Sequence, residues 1–233
     1  VNFHKLCVFD LETDSSDPKI ANPTQIAALM VNPRTLEIIP DSTFESFICP
    51  PTIGEQNYLD EHRDTIEWHA RIRKTTVDKI LELWKNAPSE KDVFDNFKNY
   101  LLKYHTKTNN NKSKFSAPIA CGANIIRFDI PILQRLCEKY KHVDKKGEME
   151  LFYPRDIIDT LHLCFFWFEN LSEPKSYNMD VLRPFLGLKN EGGHDALKDV
   201  KDTTKIIVRF LDFHRRILEK TKNTFKNAFK EDK

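Results

Sequence analysis

Glycine is scarce in this 233-residue chain: six glycines and twelve prolines are too few for a collagen-like or linker-dominated polypeptide. No apolar run approaches the ~18 residues of a membrane-spanning helix. The segment Val1-Asn2-Phe3-His4-Lys5 lacks the long apolar stretch of a signal peptide. A soluble intracellular protein is expected, cytoplasmic or nuclear, not secreted and without a membrane partner. Five cysteines, Cys7, Cys49, Cys121, Cys137 and Cys164, are widely spaced and form no Cys-x-x-Cys pair, which argues against a zinc site or a disulfide framework. They read as small buried hydrophobes in a reducing compartment. Excess charge of one sign is also missing. Lys and Arg (36) almost cancel Asp and Glu (35), so no global basic coat or acidic tail exists, although local fields remain open to nucleic acid.

What is present is a core-forming pattern, 40% hydrophobic with 11% aromatic residues, ample for one domain. Leu6-Cys7-Val8-Phe9 reads as a buried strand reaching Asp10-Leu11-Glu12. Gln25 to Val31 is a second strand, and Thr43 to Ile48, alternating with period two, a third. Their short connections predict an antiparallel meander. Helical period follows over residues 66–86, and Val93, Phe97, Tyr100, Leu101 and Tyr104 mark one helix face. Lys107 to Lys114 is a solvated loop without core-forming residues. Ile119 to Gly122 is a short buried strand. Asp129-Ile130-Pro131 opens a helix, with Asp129 as its cap. Ile157-Ile158 leads to Asp159, read first as a helix cap, and an apolar helix then runs through Phe168. Leu197, Val200, Ile207, Leu211, His214 and Leu218 trace a last long amphipathic helix. Strands first, then alternating helices and strands, predict one mixed α/β domain.

Two carboxylates do not belong at the end of an apolar strand. Asp10 and Glu12, two residues apart, project from the same face and repel each other, a conflict that burial sharpens and a hard divalent cation relieves. On its own, this pair reads first as one acid turned to solvent or paired with a lysine. Asp129 stands at another strand-to-helix junction, after Asn124-Ile125-Ile126-Arg127-Phe128. The segment Gly192-Gly193-His194-Asp195-Ala196-Leu197-Lys198-Asp199 adds a loop histidine and an acid in the first turns of the last helix.

In combination, Phe9-Asp10-Leu11-Glu12-Thr13, then Asn124 with Phe128-Asp129, then His194 with Asp199, resemble the three motifs of the DEDDh 3′→5′ exonucleases, the group of the epsilon-type proofreading subunits, RNase T and oligoribonuclease. Weaker echoes fall in order at Thr24-Gln25-Ile26-Ala27, Ile158-Asp159-Thr160-Leu161 and Asn178-Met179-Asp180-Val181-Leu182, so the resemblance runs over about residues 5–213. Where the family usually continues with Thr-Gly, this chain reads Asp14-Ser15.

The resemblance implies an RNase H-like fold with a five-stranded mixed sheet over residues 1–213, with 214–233 as a basic helical extension. It also implies two Mg²⁺ or Mn²⁺ ions held by Asp10, Glu12, Asp129 and Asp199. Oxygen ligands suit these cations, and two of them serve both oxygens of an in-line phosphodiester displacement. His194, with an ordinary pKa near ~6.5, suits a general base toward the attacking water. Thr13 and the Glu12–Thr13 backbone are expected at the terminal sugar, and Asn124 and Phe128 in the nucleotide pocket. The implied partners are 3′ ends of single-stranded DNA or RNA, released as nucleoside 5′-monophosphates.

Two further readings remain. One is a catalytically silent nucleic-acid-binding or assembly module on the same fold, which has no physical reason to keep mutually repelling acids. The other is a proofreading subunit working inside a polymerase complex. Basic segments at Lys103–Lys114 and from Arg215 onward read either as phosphate contacts or as solvated surface. Trp68 and Phe165-Phe166-Trp167-Phe168 are expected in the core.

Overall fold

The computed structural model describes residues 4–106, 113–189 and 195–228, with the backbone alone over 222–228. Five strands form one mixed sheet: β1 (Leu6–Thr13), β2 (Pro23–Val31), β3 (Phe44–Phe47), β4 (Ile119–Gly122) and β5 (Ile157–Asp159), in the order β3-β2-β1-β4-β5. The pairs β1–β2 and β2–β3 are antiparallel, as the short connections predict. The pairs β1–β4 and β4–β5 are parallel. This is the expected RNase H-like sheet.

The helices are α1 (Tyr58–Glu61), α2 (Arg63–Ile72), α3 (Val77–Lys85), α4 (Glu90–Lys103), α5 (Asp129–Lys139), α6 (Thr160–Phe168), α7 (Met179–Phe185) and α8 (Ala196–Ala228). The helical stretch at 66–86 is two helices, not one. Lys74 between them has a φ of 51°, and the Thr76 side chain caps α3 by accepting from the Lys79 N–H. Helices α1 and α7, four and seven residues long, carry too little periodicity to be read from sequence.

Strand alternation sorts the core into two faces. Cys7, Phe9 and Leu11 of β1 pack with Phe97 and Leu101 of α4 and Ile132 and Leu133 of α5. Leu6 and Val8, on the opposite face, pack with Ala196, Val200 and Ile207 of α8. The same period of two points Asp10 and Glu12 toward the α8 face. All five cysteines are free thiols, four of them buried and Cys49 half-buried. Among the described residues no helix is long and apolar enough to cross a membrane.

Three surface expectations are corrected. Phe165 and Phe166 are 53% and 77% exposed. Helix α6 is apolar on nearly every side and buries Cys164 and packs Phe168 toward α7 and α8, so one apolar flank is left over. Lys114 is buried and paired with Asp144 and Glu148, hence closed to phosphate. Arg215 donates to the carbonyls of Pro33 and Arg34, tying α8 to the end of β2. Lys107 and Lys112, and the side chains of Lys222, Lys226, Lys230 and Lys233, lie outside the described residues.

Candidate active site

Asp10 and Glu12 emerge from β1 where it passes between β2 and β4, and α8 brings Asp199 across the same face. One oxygen of each of the three carboxylates lies within 4.8 Å of the others. Asp195 caps the start of α8, accepting from the Lys198 N–H at 3.1 Å, and so fixes where Asp199 falls in the first turn. Asp129 does not cap its own helix: the N-cap position is Phe128, without a side-chain bond. Its Oδ1 instead accepts the Leu11 N–H of β1 at 2.9 Å, the residue between Asp10 and Glu12. The acid is 3% exposed, and this bond joins α5 to the carboxylate-bearing strand.

Gly122 makes the approach between β4 and β1 feasible. A Cβ there would stand 2.8 Å from the Phe9 carbonyl oxygen and 2.3 Å from the Ile125 side chain. The turn that follows is held by Asp159, whose carboxylate accepts the N–H groups of Asn124 (2.9 Å), Ile126 (3.1 Å) and Leu161 (3.0 Å). Asp159 thus caps α6, as expected, and also pins the neighbouring turn. Asn124 sits there at a φ of 61°, a left-handed conformation that asparagine tolerates.

The expected nucleotide-pocket residues part company. Thr13 and Phe128 line one cavity of about 430 Å³ with Glu12, Asp64, Thr65, Trp68 and His69. Asn124 lines a different one on the far side of the turn. Trp68 is half-buried on the wall of the Thr13 cavity and not in the core. His69 holds that wall by a 2.9 Å hydrogen bond from its Nε2 to the Thr13 carbonyl oxygen, with its ring edge-on to buried Trp84. His194 lies outside the described residues.

Three features were missed in the sequence. Arg183 of α7 is completely buried and bonds Asp199, Asp202 (3.1 Å) and Asp180 (3.3 Å). Arg73, at the end of α2, donates to Gln25 Oε1 at 2.7 Å and contributes positive charge near Glu12. Asp14, where the family pattern departs, is a fully buried hub: it accepts from the Asn22 N–H (2.7 Å), Asn22 Nδ2 (2.9 Å) and the Tyr58 hydroxyl (3.0 Å). It thereby fastens the loop after β1 to α1. The echo Asn178-Met179-Asp180-Val181-Leu182 pointed at the helix that carries Arg183. Asp180 of that echo and the candidate ligand Asp199 are two of its partners, but nothing in the sequence pairs them with Arg183 or points at Asp202.

Burial drives the Asp10 carboxyl well above its ordinary value, and Asp129, Glu12 and Asp199 push it further, against Arg183. Glu12 is raised to about 8, by burial first and then by Asp199, with Arg73 acting in the opposite direction. Asp129 is raised to about 7 by burial, restrained by the Leu11 N–H. The site is therefore a set of partly to fully buried oxygen donors, of which Asp10, Glu12 and Asp129 give up their protons less readily than ordinary carboxyls. That donor chemistry fits a hard divalent cation.

A stability prediction follows from the signs. Each of these acids binds its proton more tightly folded than unfolded. For Glu12 the window runs from its ordinary 4.5 to about 8. Within it the native state carries more protons, so stability falls as pH rises. In EDTA the melting temperature should fall between about pH 5.5 and about pH 8, and Mn²⁺ should raise it most at the upper end, where a cation competes with the fewest protons. A cation effect independent of pH, or a melting temperature that climbs across the window in EDTA, would contradict this electrostatic picture.

No protein-family model matches the chain, and no curated protein is similar to it in sequence. Solved structures are similar in fold. The structure of cell-death related nuclease 4 superposes with a TM-score of 0.60 at 13% identity, covering 91% of this chain and 64% of the other. E. coli exonuclease I in complex with a 5cy-dT13 oligonucleotide gives 0.58 at 15% identity, covering 91% and 43%. A 3′-exonuclease that recognises the 3′ end of the histone mRNA stem-loop gives 0.54 at 18% identity, covering 91% and 83%. The chain thus spans under two thirds of the first two proteins. Its mixed five-stranded sheet with flanking helices has the RNase H-like architecture of these nucleases.

Proposed function

We propose that this chain is a divalent-metal-dependent 3′→5′ exonuclease of the DEDDh type, releasing nucleoside 5′-monophosphates from single-stranded DNA or RNA. The observation that carries the reading is the convergence of Asp10, Glu12 and Asp199 from β1 and α8, with Glu12 also on the wall of the aromatic-lined Thr13 cavity. Nuclease folds among the structural neighbours support it.

In this reading Asp10, Glu12 and Asp199 hold the cation, with Asp129 as the fourth acid. Two bound Mg²⁺ or Mn²⁺ ions would supply charge neutralisation for the attacking and leaving oxygens of an in-line displacement. The chain's own groups do the rest. Thr13 and the Glu12–Thr13 backbone orient the terminal sugar, while Trp68 and Phe128 flank the terminal base and keep water from it. His194 takes the proton of the attacking water. Arg73 and Arg183 limit the repulsion among the acids, so the constellation is assembled before substrate arrives.

The test uses 5′-labelled single-stranded DNA, duplex DNA and RNA incubated with Mg²⁺ and with EDTA. Products should shorten from the 3′ side, single strands fastest, because paired ends must first unstack at a cost of a few kcal/mol. EDTA should abolish the reaction. Cleavage of a circular single strand at a comparable rate, or full activity in EDTA, would refute the reading.

A further inference from the structure

Two guanidiniums act on the acid cluster, and they are placed differently. Arg183 is completely buried and committed to Asp180, Asp199 and Asp202. Arg73 is half-buried, and among the described residues no carboxylate pairs with it. Its place is nevertheless fixed. Glu12, Gln25 and Phe47 stand directly opposite one another across β1, β2 and β3, so their side chains share one face of the sheet. Arg73 lies over this row: its Nη2 donates to Gln25 Oε1 at 2.7 Å, and its guanidinium carbon is 5.3 Å from the centre of the Phe47 ring. Gln25 is itself buried, and its Nε2 donates to Glu45 at 3.1 Å, which turns the Oε1 toward the arginine. Neighbouring strands lie ~4.8 Å apart, so this anchor is one strand over from Glu12. That is close enough for Arg73 to act on the Glu12 carboxyl.

Helix α2 sets the distance to the Thr13 cavity. Arg73 comes four residues after His69, hence on the same side of the helix and one turn, ~5.4 Å, further along. His69 bonds the Thr13 carbonyl oxygen and lines the cavity, and Arg73 stands just past that lining, on the Glu12 side. A nucleoside seated there would carry its phosphate outside the cavity, among acids that repel an anion. A guanidinium held by an amide and a ring, with most of its five N–H donors left over among the described residues, is shaped for that phosphate.

We propose that Arg73 is a phosphate-contacting residue, whose guanidinium grips a phosphate of the terminal nucleotide while the base and sugar occupy the Thr13 cavity. The assignment rests on the nuclease reading for placing a nucleotide in that cavity. The phosphate has two sources with the same chemistry: the 5′-phosphate that hydrolysis leaves on the released nucleotide, or a phosphate carried on the 3′ hydroxyl of the strand.

The experiment titrates the whole chain, in Ca²⁺, with thymidine, thymidine 5′-monophosphate and thymidine 3′-monophosphate by calorimetry. At least one monophosphate should bind more tightly than thymidine, and which one does identifies the source. Arg73→Gln should cut that advantage roughly 10- to 150-fold, or to nothing where it is smaller, the worth of a charge-assisted hydrogen bond. Thymidine itself should bind both proteins alike. Arg73→Lys keeps the charge without the planar fork and should restore part of the advantage. Arg71→Gln removes the same charge from an exposed position on α2 and should leave it intact. Melting curves confirm that each variant is folded. A phosphate advantage equal in wild type and Arg73→Gln, none in wild type, or an equal loss in Arg71→Gln overturns the contact and leaves Arg73 only its effect on the acids. The two readings fail separately. An advantage lost on Arg73→Gln, with no hydrolysis of strands in Mg²⁺, keeps the phosphate contact and removes the nuclease. Hydrolysis with an unaltered advantage does the reverse.

Discussion

Asp10→Asn should be nearly inactive and, at pH 8 without divalent cation, more stable than the wild type. The substitution keeps the shape of the side chain and removes its charge. Catalysis loses a carboxylate that would hold the cation, an interaction worth several kcal/mol of transition-state stabilisation, or roughly 10³-fold in rate or more. Stability moves the other way. Burial and the charges of Asp129, Glu12 and Asp199 all oppose ionisation of Asp10, so a neutral amide removes a repulsion that the folded protein otherwise carries. The two effects together separate a functional acid from a structural one, because a structural acid would lose stability on the same change. Single-turnover rates and melting curves with and without Mg²⁺ check both. Unchanged turnover, or a lower melting temperature in EDTA at pH 8, would remove Asp10 from the proposed site. The stabilisation that Mn²⁺ confers on the wild type should also shrink in the variant.

Replacing Arg183 by Met should cost about 3–5 kcal/mol of folding stability, the usual consequence of removing one partner from a buried ion pair. The guanidinium is wholly buried and bonds Asp202 at 3.1 Å, Asp180 at 3.3 Å, and Asp199. Burial works against the Asp202 charge, and bonds from Lys198, Lys205 and Arg183 outweigh it, holding that carboxyl below its ordinary value. Without Arg183, Asp199 keeps its repulsion toward Asp10 and Glu12 and loses the guanidinium beside it. Urea unfolding measures the loss, and Arg183→Met with Asp202→Asn should recover part of it, because fewer buried charges are then stranded. Arg183→Lys should fall between the two, since an ammonium cannot fork across several carboxylates. Full stability in Arg183→Met would mean that the lysines alone neutralise this cluster.

Local pattern reached a good part of the molecule. The apolar run of β1 and its period of two were enough to put Asp10 and Glu12 on one face, because alternation in a strand is a property of the backbone itself. The apolar stripe from Leu197 to Leu218 was likewise enough for α8, and Asp159 before an apolar helix was enough for its cap, confirmed by its bond to the Leu161 N–H. The short-range antiparallel meander belongs with these. Each depends on neighbours within a few residues.

What escaped depends on neighbours far along the chain. Asp129 reads as a cap from its place before Pro131, and bonds Leu11 because α5 begins against β1, 118 residues away. Asn124 and Phe128 read as one pocket, four residues apart, and the turn pinned by Asp159 sends them into two. Trp68 reads as core from its aromatic ring alone, and His69 beside it takes the deeper position. Phe165 and Phe166 stay exposed because a helix apolar on every side can bury only the flank its neighbours reach. The sequence by itself thus determined the strands, the longer helices and the face that carries the acids, through backbone periodicity. Which charge meets which, and which ring stays open, was decided by the packing of β1, α5, α7 and α8, because Coulomb interactions and burial act through space and are indifferent to chain order.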